Sequence, residues 1–235
     1  STLGYLPNMD LYSKHSHDRP SRLRPHTNLH AGLNLHHSPL VQRIEGVVSA
    51  EESQRIVELA RPRLHDSGVT LRSRTAVDKG LRVSQTTWLR HSHDTIIHNL
   101  TARIAALVGL SLAHAENMQV LRYGVGGFYK AHWDGWNMST ALGERQGVIG
   151  RHWCGNRVLT ALGYLNTLPS GGGGETRLVQ LGISVPPRAG RLLVFNDVTR
   201  TGELDRSTFH ESAAITDGEK WAFNLWFREH KCPHS

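Results

Sequence analysis

Cysteine is nearly missing from this chain: Cys154 and Cys232 are the only two in 235 residues. They stand far apart, with no neighbouring thiol at metal-ligand spacing. This excludes a zinc ribbon and a multi-bridge disulfide framework and leaves only a single bridge open. No apolar run is long enough to cross a bilayer, so the chain reads as soluble. The amino terminus lacks a basic stretch followed by an apolar core, the mark of a secretory signal. Localisation stays open between the cytoplasm and, for a processed chain, a secretory lumen. Internal repeats are absent. The glycine run 171-GGGG-174 has no strand-to-helix setting and no phosphate-binding lysine, which excludes a P-loop and leaves a mobile hairpin connection. Acidic residues are outnumbered, 20 against 27 basic, for a formal charge of +7. The basic residues are scattered and not bunched beside aromatics, so nucleic acid is a disfavoured partner.

What is present has the balance of a globular protein, with 38% hydrophobic and 20% charged residues. Residues 1–40 show neither a strand nor a helix period and read as an extended or partly disordered arm. Their histidines in 26-HTNLHAGLNLHH-37 have nothing to fix a mutual geometry and do not make a metal site. Residues 41–235 form one expected domain, with helical support over 41–115 and a β core over 116–229. Leu40, Val41 and Ile44 predict a short strand. Ser49 with Glu52 has the form of a capping box before a helix that carries Ile56, Val57, Leu59 and Ala60 and ends at Pro62. A second helix fits 92–109, closed by Gly109. Beyond Glu116 the chain reads as strands at 118–124, 157–166, 182–187, 191–197, 208–215 and 220–228. The class is therefore α+β, mainly β, with a sandwich or barrel supported by helices on one side.

Chemistry concentrates in 130-KAHWDGWN-137, where one residue separates His132 from Asp134. On an extended strand both side chains point to one face, as two metal ligands must. Alone the pair is a weak signal that needs a third ligand. Among sixteen histidines, His210 in its strand-like segment is a candidate. Two histidines and a carboxylate on a β scaffold make the facial triad of non-haem Fe(II) oxygenases.

The order Tyr123, His132-x-Asp134, Gly173-Gly174-Glu175-Thr176, His210 and Lys220 resembles the prolyl 4-hydroxylase-like branch of the Fe(II)/2-oxoglutarate-dependent dioxygenases. The segments that carry the likeness are 121-LRYGVGGFYKAHWD-134, 159-LTALGYLNTLPSGGGGETRL-178, 183-ISVPPRAGRLLVFND-197 and 209-FHESAAITDGEKWAFNLWFRE-229. The resemblance implies a double-stranded β-helix (jelly roll), with Fe(II) held by His132, Asp134 and His210. It implies 2-oxoglutarate with its distal carboxylate on Lys220, helped by Tyr123, by Thr160 near that carboxylate, by Trp226 as a wall and by Asn224 as a polar contact. It further implies O2 as oxidant, ascorbate as reductant, and hydroxylation of an aliphatic C–H of a prolyl residue in a peptide or of a related amino acid, with release of succinate and CO2. The same chemistry on a small-molecule natural product, and a non-catalytic ligand-binding jelly roll, are the alternatives. An aromatic usually follows the Gly-Gly-Glu-Thr turn in the family, and Arg177 stands there instead.

Each of these residues has a bland reading too. Tyr123 and Trp226 suit a core, Lys220 suits an exposed turn after Asp217-Gly218, and Thr160 suits any strand. The polar, glycine-interrupted segment 135–156 reads as a lid or substrate loop, in which Trp136, Glu144 and Arg151 are candidate substrate contacts, as is Arg228 on the Trp226 strand. Oligomeric state is not legible.

Overall fold

A computed structural model of the chain describes residues 32–71, 74–149 and 152–232. Strands β1 (Leu33–His37) and β2 (Leu40–Ile44) precede helix α1 (Ala50–Ala60). Short strands follow: β3 (His65–Asp66), β4 (Val69–Leu71), β5 (Arg74–Ala76), β6 (Arg82–Val83) and β7 (Gln85–Leu89), then α2 (Thr95–Leu107). Next come β8 (Met118–Tyr123), β9 (Phe128–His132), α3 (Ala141–Gln146), β10 (Val148–Ile149) and β11 (His152–Trp153). The chain finishes with β12 (Arg157–Tyr164), β13 (Thr176–Leu178), β14 (Ile183–Val185), β15 (Leu192–Asn196), β16 (His210–Ser212) and β17 (Lys220–Arg228).

An eight-stranded antiparallel sheet, in the order β1-β2-β15-β12-β17-β8-β7-β3, faces a five-stranded one, β14-β13-β16-β9-β6. This is the double-stranded β-helix. Alternation along β17 shows why it holds together. Trp221, Phe223, Leu225 and Phe227 join Ile56, Ile97, Leu100 and Ile104 of the two helices in one apolar layer. Ala222, in between, packs with Leu162, Tyr164 and Phe195 and with Leu178 and Val185 of the smaller sheet. All nine residues of β17 are buried, so neither face meets water, and its even-numbered residues share the Ala222 face. Its polar members, Lys220, Asn224 and Arg228, therefore all fall on the face between the sheets.

The helices sit as expected. Ser49 and Glu52 form the reciprocal capping box of α1. Asp94 caps α2 through the Ile96 N–H, and Arg55 of α1 pairs with the same carboxylate at 2.8 Å. Two expectations change. The expected arm of residues 1–40 ends early, because Leu33–His37 pairs with β2 as the edge of the larger sheet and Leu40 is buried. Residues 65–89, given no elements by the sequence, hold five strands of two to five residues, too short and polar for a period to emerge. The single bridge left open by the cysteine count is present and links Cys154 to Cys232. Among the described residues no helix is long and apolar enough to cross a membrane.

Candidate active site

The third ligand of the triad is set by strand pairing. His210 of β16 lies directly opposite His132 of β9. The ligand atoms of His132, Asp134 and His210 fall within 4.8 Å of one another, and among the described residues they form the one such group able to hold a metal ion. Each histidine places its Nδ1 against a backbone carbonyl, His132 against Lys130 at 2.9 Å and His210 against Thr208 at 3.0 Å. These contacts fix the proton on Nδ1, so each Nε2 presents its lone pair at the centre, 3.6 Å from an Asp134 oxygen. Burial lowers the His210 pKa to about 4, so that ring is neutral and ready to ligate. Burial acts to raise Asp134, but the two histidines and Arg157 outweigh it and hold the carboxyl below its usual range. Tyr129 stacks on His132 with ring centroids 3.6 Å apart, and the Phe195 edge meets His210 at 4.9 Å.

Lys220 is not the exposed turn residue of the bland reading: it is 2% exposed. Its ammonium donates to the Gly174 carbonyl at 2.7 Å and to Ser212 Oγ at 2.9 Å. Desolvation lowers its pKa to about 7, with Glu175 pulling the other way. Ser212 is two residues from His210, about 7 Å of strand. The glycine run expected to be mobile is packed: Gly173 and Gly174 both take φ +74, and a Cβ on Gly174 would lie 2.6 Å from Ile215. Only glycine fits there, and the turn puts its carbonyl on the lysine. Tyr123 is buried opposite Lys220 in the strand register, its ring centroid 5.3 Å from the ammonium.

Thr160 is misplaced by the sequence reading. It pairs with Trp226, six residues along β17 from Lys220, or about 20 Å. Its hydroxyl lies 2.9 Å from Asp134 Oδ2 and 3.0 Å from both carboxyl oxygens of Asp197, so it serves the metal carboxylate and not the lysine end. Trp226 and Asn224 share the Lys220 face, as their spacing required. Trp226 Nε1 and Asn224 Oδ1 are both buried without a hydrogen-bond partner.

The Trp226 end holds residues that the sequence did not single out. Arg157 lies 3.5 Å over the Trp226 ring and 4.7 Å from that of Trp136. Trp88, 43% exposed, tilts against Trp226 at 5.8 Å. Glu116 accepts from Arg157 at 2.7 Å and from Arg228 at 2.6 Å. Arg228 also donates to the carbonyls of Gln146 and Gly155, so the guanidinium expected to meet substrate is spent on structure. Trp136 is anchored by two hydrogen bonds between its backbone and the Asn156 amide. Glu144 lies exposed on α3, outside this cluster, and Arg151 is outside the described residues. A separate groove of about 1050 Å³, lined by Val57, Arg61, Glu219 and Trp221, contains no triad residue.

The donor set fits Fe(II): two imidazoles and one carboxylate, three ligands that leave the remaining positions of an octahedral metal for other donors. A buried lysine whose hydrogen-bond partners are neutral, reaching Ser212 two residues from the triad's His210, fits an anionic co-substrate. The profile described as the 2OG-Fe(II) oxygenase superfamily matches residues 118–228. Prolyl 4-hydroxylase subunit alpha-3 of Mus musculus is 34% identical over 198 residues, which cover 83% of this chain and 35% of that protein. Subunit alpha-1 of Gallus gallus is 32% identical over 195 residues, covering 81% and 36%. The chain thus spans about a third of the length of these curated relatives. Among solved structures, the viral collagen prolyl hydroxylase of Paramecium Bursaria Chlorella virus-1 in its 2OG complex aligns with a TM-score of 0.62 at 23% identity, covering 81% of this chain and 96% of that one. The prolyl hydroxylase of Trichoplax adhaerens, in complex with a hypoxia inducible factor oxygen degradation domain peptide, gives 0.55 at 18% identity, covering 80% and 83%. These structural likenesses carry the fold, and the sequence matches carry the family: the chain belongs to the prolyl 4-hydroxylase-like branch of the 2OG-Fe(II) oxygenase superfamily.

Proposed function

We propose that this chain is an Fe(II)/2-oxoglutarate-dependent dioxygenase that hydroxylates an aliphatic C–H of a prolyl residue in a peptide or of a related amino-acid substrate. The observation that carries this is the placement of its two anchoring groups along one strand. The Lys220 ammonium donates to Ser212 Oγ, two residues and about 7 Å of β16 from the triad's His210, so a metal ligand and a buried cation flank one site, as a 2-oxo dicarboxylate requires. With Fe(II) bound, the metal supplies the oxidative decarboxylation to succinate and CO2 and the attack on the C–H bond.

The protein's share is placement. His132, Asp134 and His210 hold the metal on one side and leave the other open. Lys220 offers a desolvated cation to the distal carboxylate, and Tyr123, over which that cation lies, closes the same end. At the opposite end Trp226, Trp88 and Trp136 present aromatic plates that suit an apolar ring such as proline, and the Arg157 cation between two of them polarises that wall. Curated relatives bear the name prolyl 4-hydroxylase, and the Trichoplax relative holds a peptide, both in line with a peptidyl substrate.

The test is succinate formation from 2-oxoglutarate by the Fe(II)-loaded protein in air, across proline-containing peptides and free amino acids. A His132→Ala variant serves as control. Turnover stimulated by a proline peptide and lost in the control is the expected result. Iron-loaded protein that binds 2-oxoglutarate but turns over with no peptide, while accepting a small molecule, would shift the substrate class to natural products.

A further inference from the structure

Asp197 has no part in the reading above, yet it touches the metal site at one remove. It follows the last residue of β15, is 1% exposed, and aims both carboxyl oxygens at the Thr160 hydroxyl, each 3.0 Å away. The same hydroxyl lies 2.9 Å from Asp134 Oδ2. A threonine hydroxyl has one proton and two lone pairs. With Asp134 ionised, that proton goes to Asp134, so the Asp197 side of the contact must itself bring a donor. A carboxylic acid that keeps its proton supplies one. Full burial at 1% exposure favours that neutral form, because an ion there would be stripped of water.

The position is also built in. The Asp197 N–H donates to Val158 O at 3.0 Å and its carbonyl accepts from the Asp205 N–H at 3.0 Å. A Cβ on Gly135, the residue after the metal carboxylate, would lie only 3.3 Å from Asp197 Cβ.

We propose that Asp197 is a positioning residue for the metal, acting through the Thr160 hydroxyl to hold the Asp134 carboxylate in one orientation. A carboxylate free to turn can occupy two coordination positions or swing away. One pinned at Oδ2 keeps the remaining positions open for co-substrate and oxygen. The inference rests on the triad being the metal site.

The experiment is a titration of the metal-free protein with Co(II), followed by its visible absorption, for wild type, Asp197→Ala, Asp197→Asn, Thr160→Val and the Thr160→Val/Asp197→Ala double variant. Asp197→Ala is expected to weaken Co(II) binding by about 10- to 100-fold. Asp197→Asn, whose amide N–H replaces the acid proton, should restore affinity to within about threefold of wild type. Thr160→Val should cost about as much as Asp197→Ala, and the double variant little more than either, because the two act in series. Unchanged affinity in a folded Asp197→Ala variant, an Asn variant no better than Ala, or additive losses in the double variant would each overturn the proposal. If Asp197→Ala does not fold, the Asn and Thr160→Val arms decide it. Failure of wild type itself to bind Co(II) would instead sink the triad as the metal site.

Discussion

Lys220 and Tyr123 stand directly opposite each other on neighbouring strands, with the ammonium 5.3 Å from the tyrosine ring centroid. The cation is fully buried, and the Gly174 carbonyl and Ser212 hydroxyl that it donates to are neutral. It is poised for an anion. Lys220→Ala should therefore abolish measurable 2-oxoglutarate binding, a loss on the order of 3–5 kcal/mol, while Co(II) affinity stays near wild type. Calorimetric titration of both ligands into the variant checks this.

The same lysine predicts a pH dependence. Its pKa is held at about 7 by burial, so the ammonium that pairs with the co-substrate is lost as pH rises. Above that pH 2-oxoglutarate affinity should fall about tenfold per unit, with about one proton taken up on binding at pH 8, measurable in buffers of different ionisation enthalpy. Stability of the ligand-free protein runs the other way. An unfolded lysine keeps its proton to about pH 10.4, so between pH 7 and that limit the unfolded chain binds more protons. This group's contribution therefore rises with pH over that window, and below it the cost of burying the cation is borne in full.

Glu116 lies between Arg157 and Arg228, and burial is outweighed there by the two guanidiniums, which lower its pKa. Glu116→Gln should destabilise the fold by about 3–5 kcal/mol, because two buried cations then face each other without their anion. Urea unfolding of the variant beside wild type measures it. A change under about 1 kcal/mol would show that the arginines find other partners.

Cys154 and Cys232, 78 residues apart in sequence, are joined by a disulfide. Chain-entropy reasoning assigns such a bridge about 4.5 kcal/mol. A Cys154→Ser/Cys232→Ser double variant should lose most of that in guanidinium unfolding, and wild type under reductant should approach the same midpoint.

How much of this could be read before the fold was known depended on whether neighbours in sequence are neighbours in space. His132-x-Asp134 share a face because a strand alternates every two residues, and Lys220, Asn224 and Trp226 share one for the same reason. The capping box at Ser49 and the stripe of α2 are equally local. Where pairing joins distant strands, the linear chain gives no distance. Thr160 was set at the wrong end of the site because its partners, Asp134 and Asp197, are 26 and 37 residues away. Arg228 looked available for substrate until Glu116, 112 residues earlier, claimed it.

The sequence by itself determined the fold class and the shared face of His132 and Asp134, which periods and short spacings encode, and its family resemblance pointed to His210 and Lys220. Only the tertiary structure decided which hydroxyl meets the Asp134 carboxylate, how deeply Lys220 is buried, and which arginine is already taken. Those outcomes follow from strand register and burial. Both are properties of contacts between distant segments, and a buried charge or hydroxyl takes whichever partner the register sets beside it.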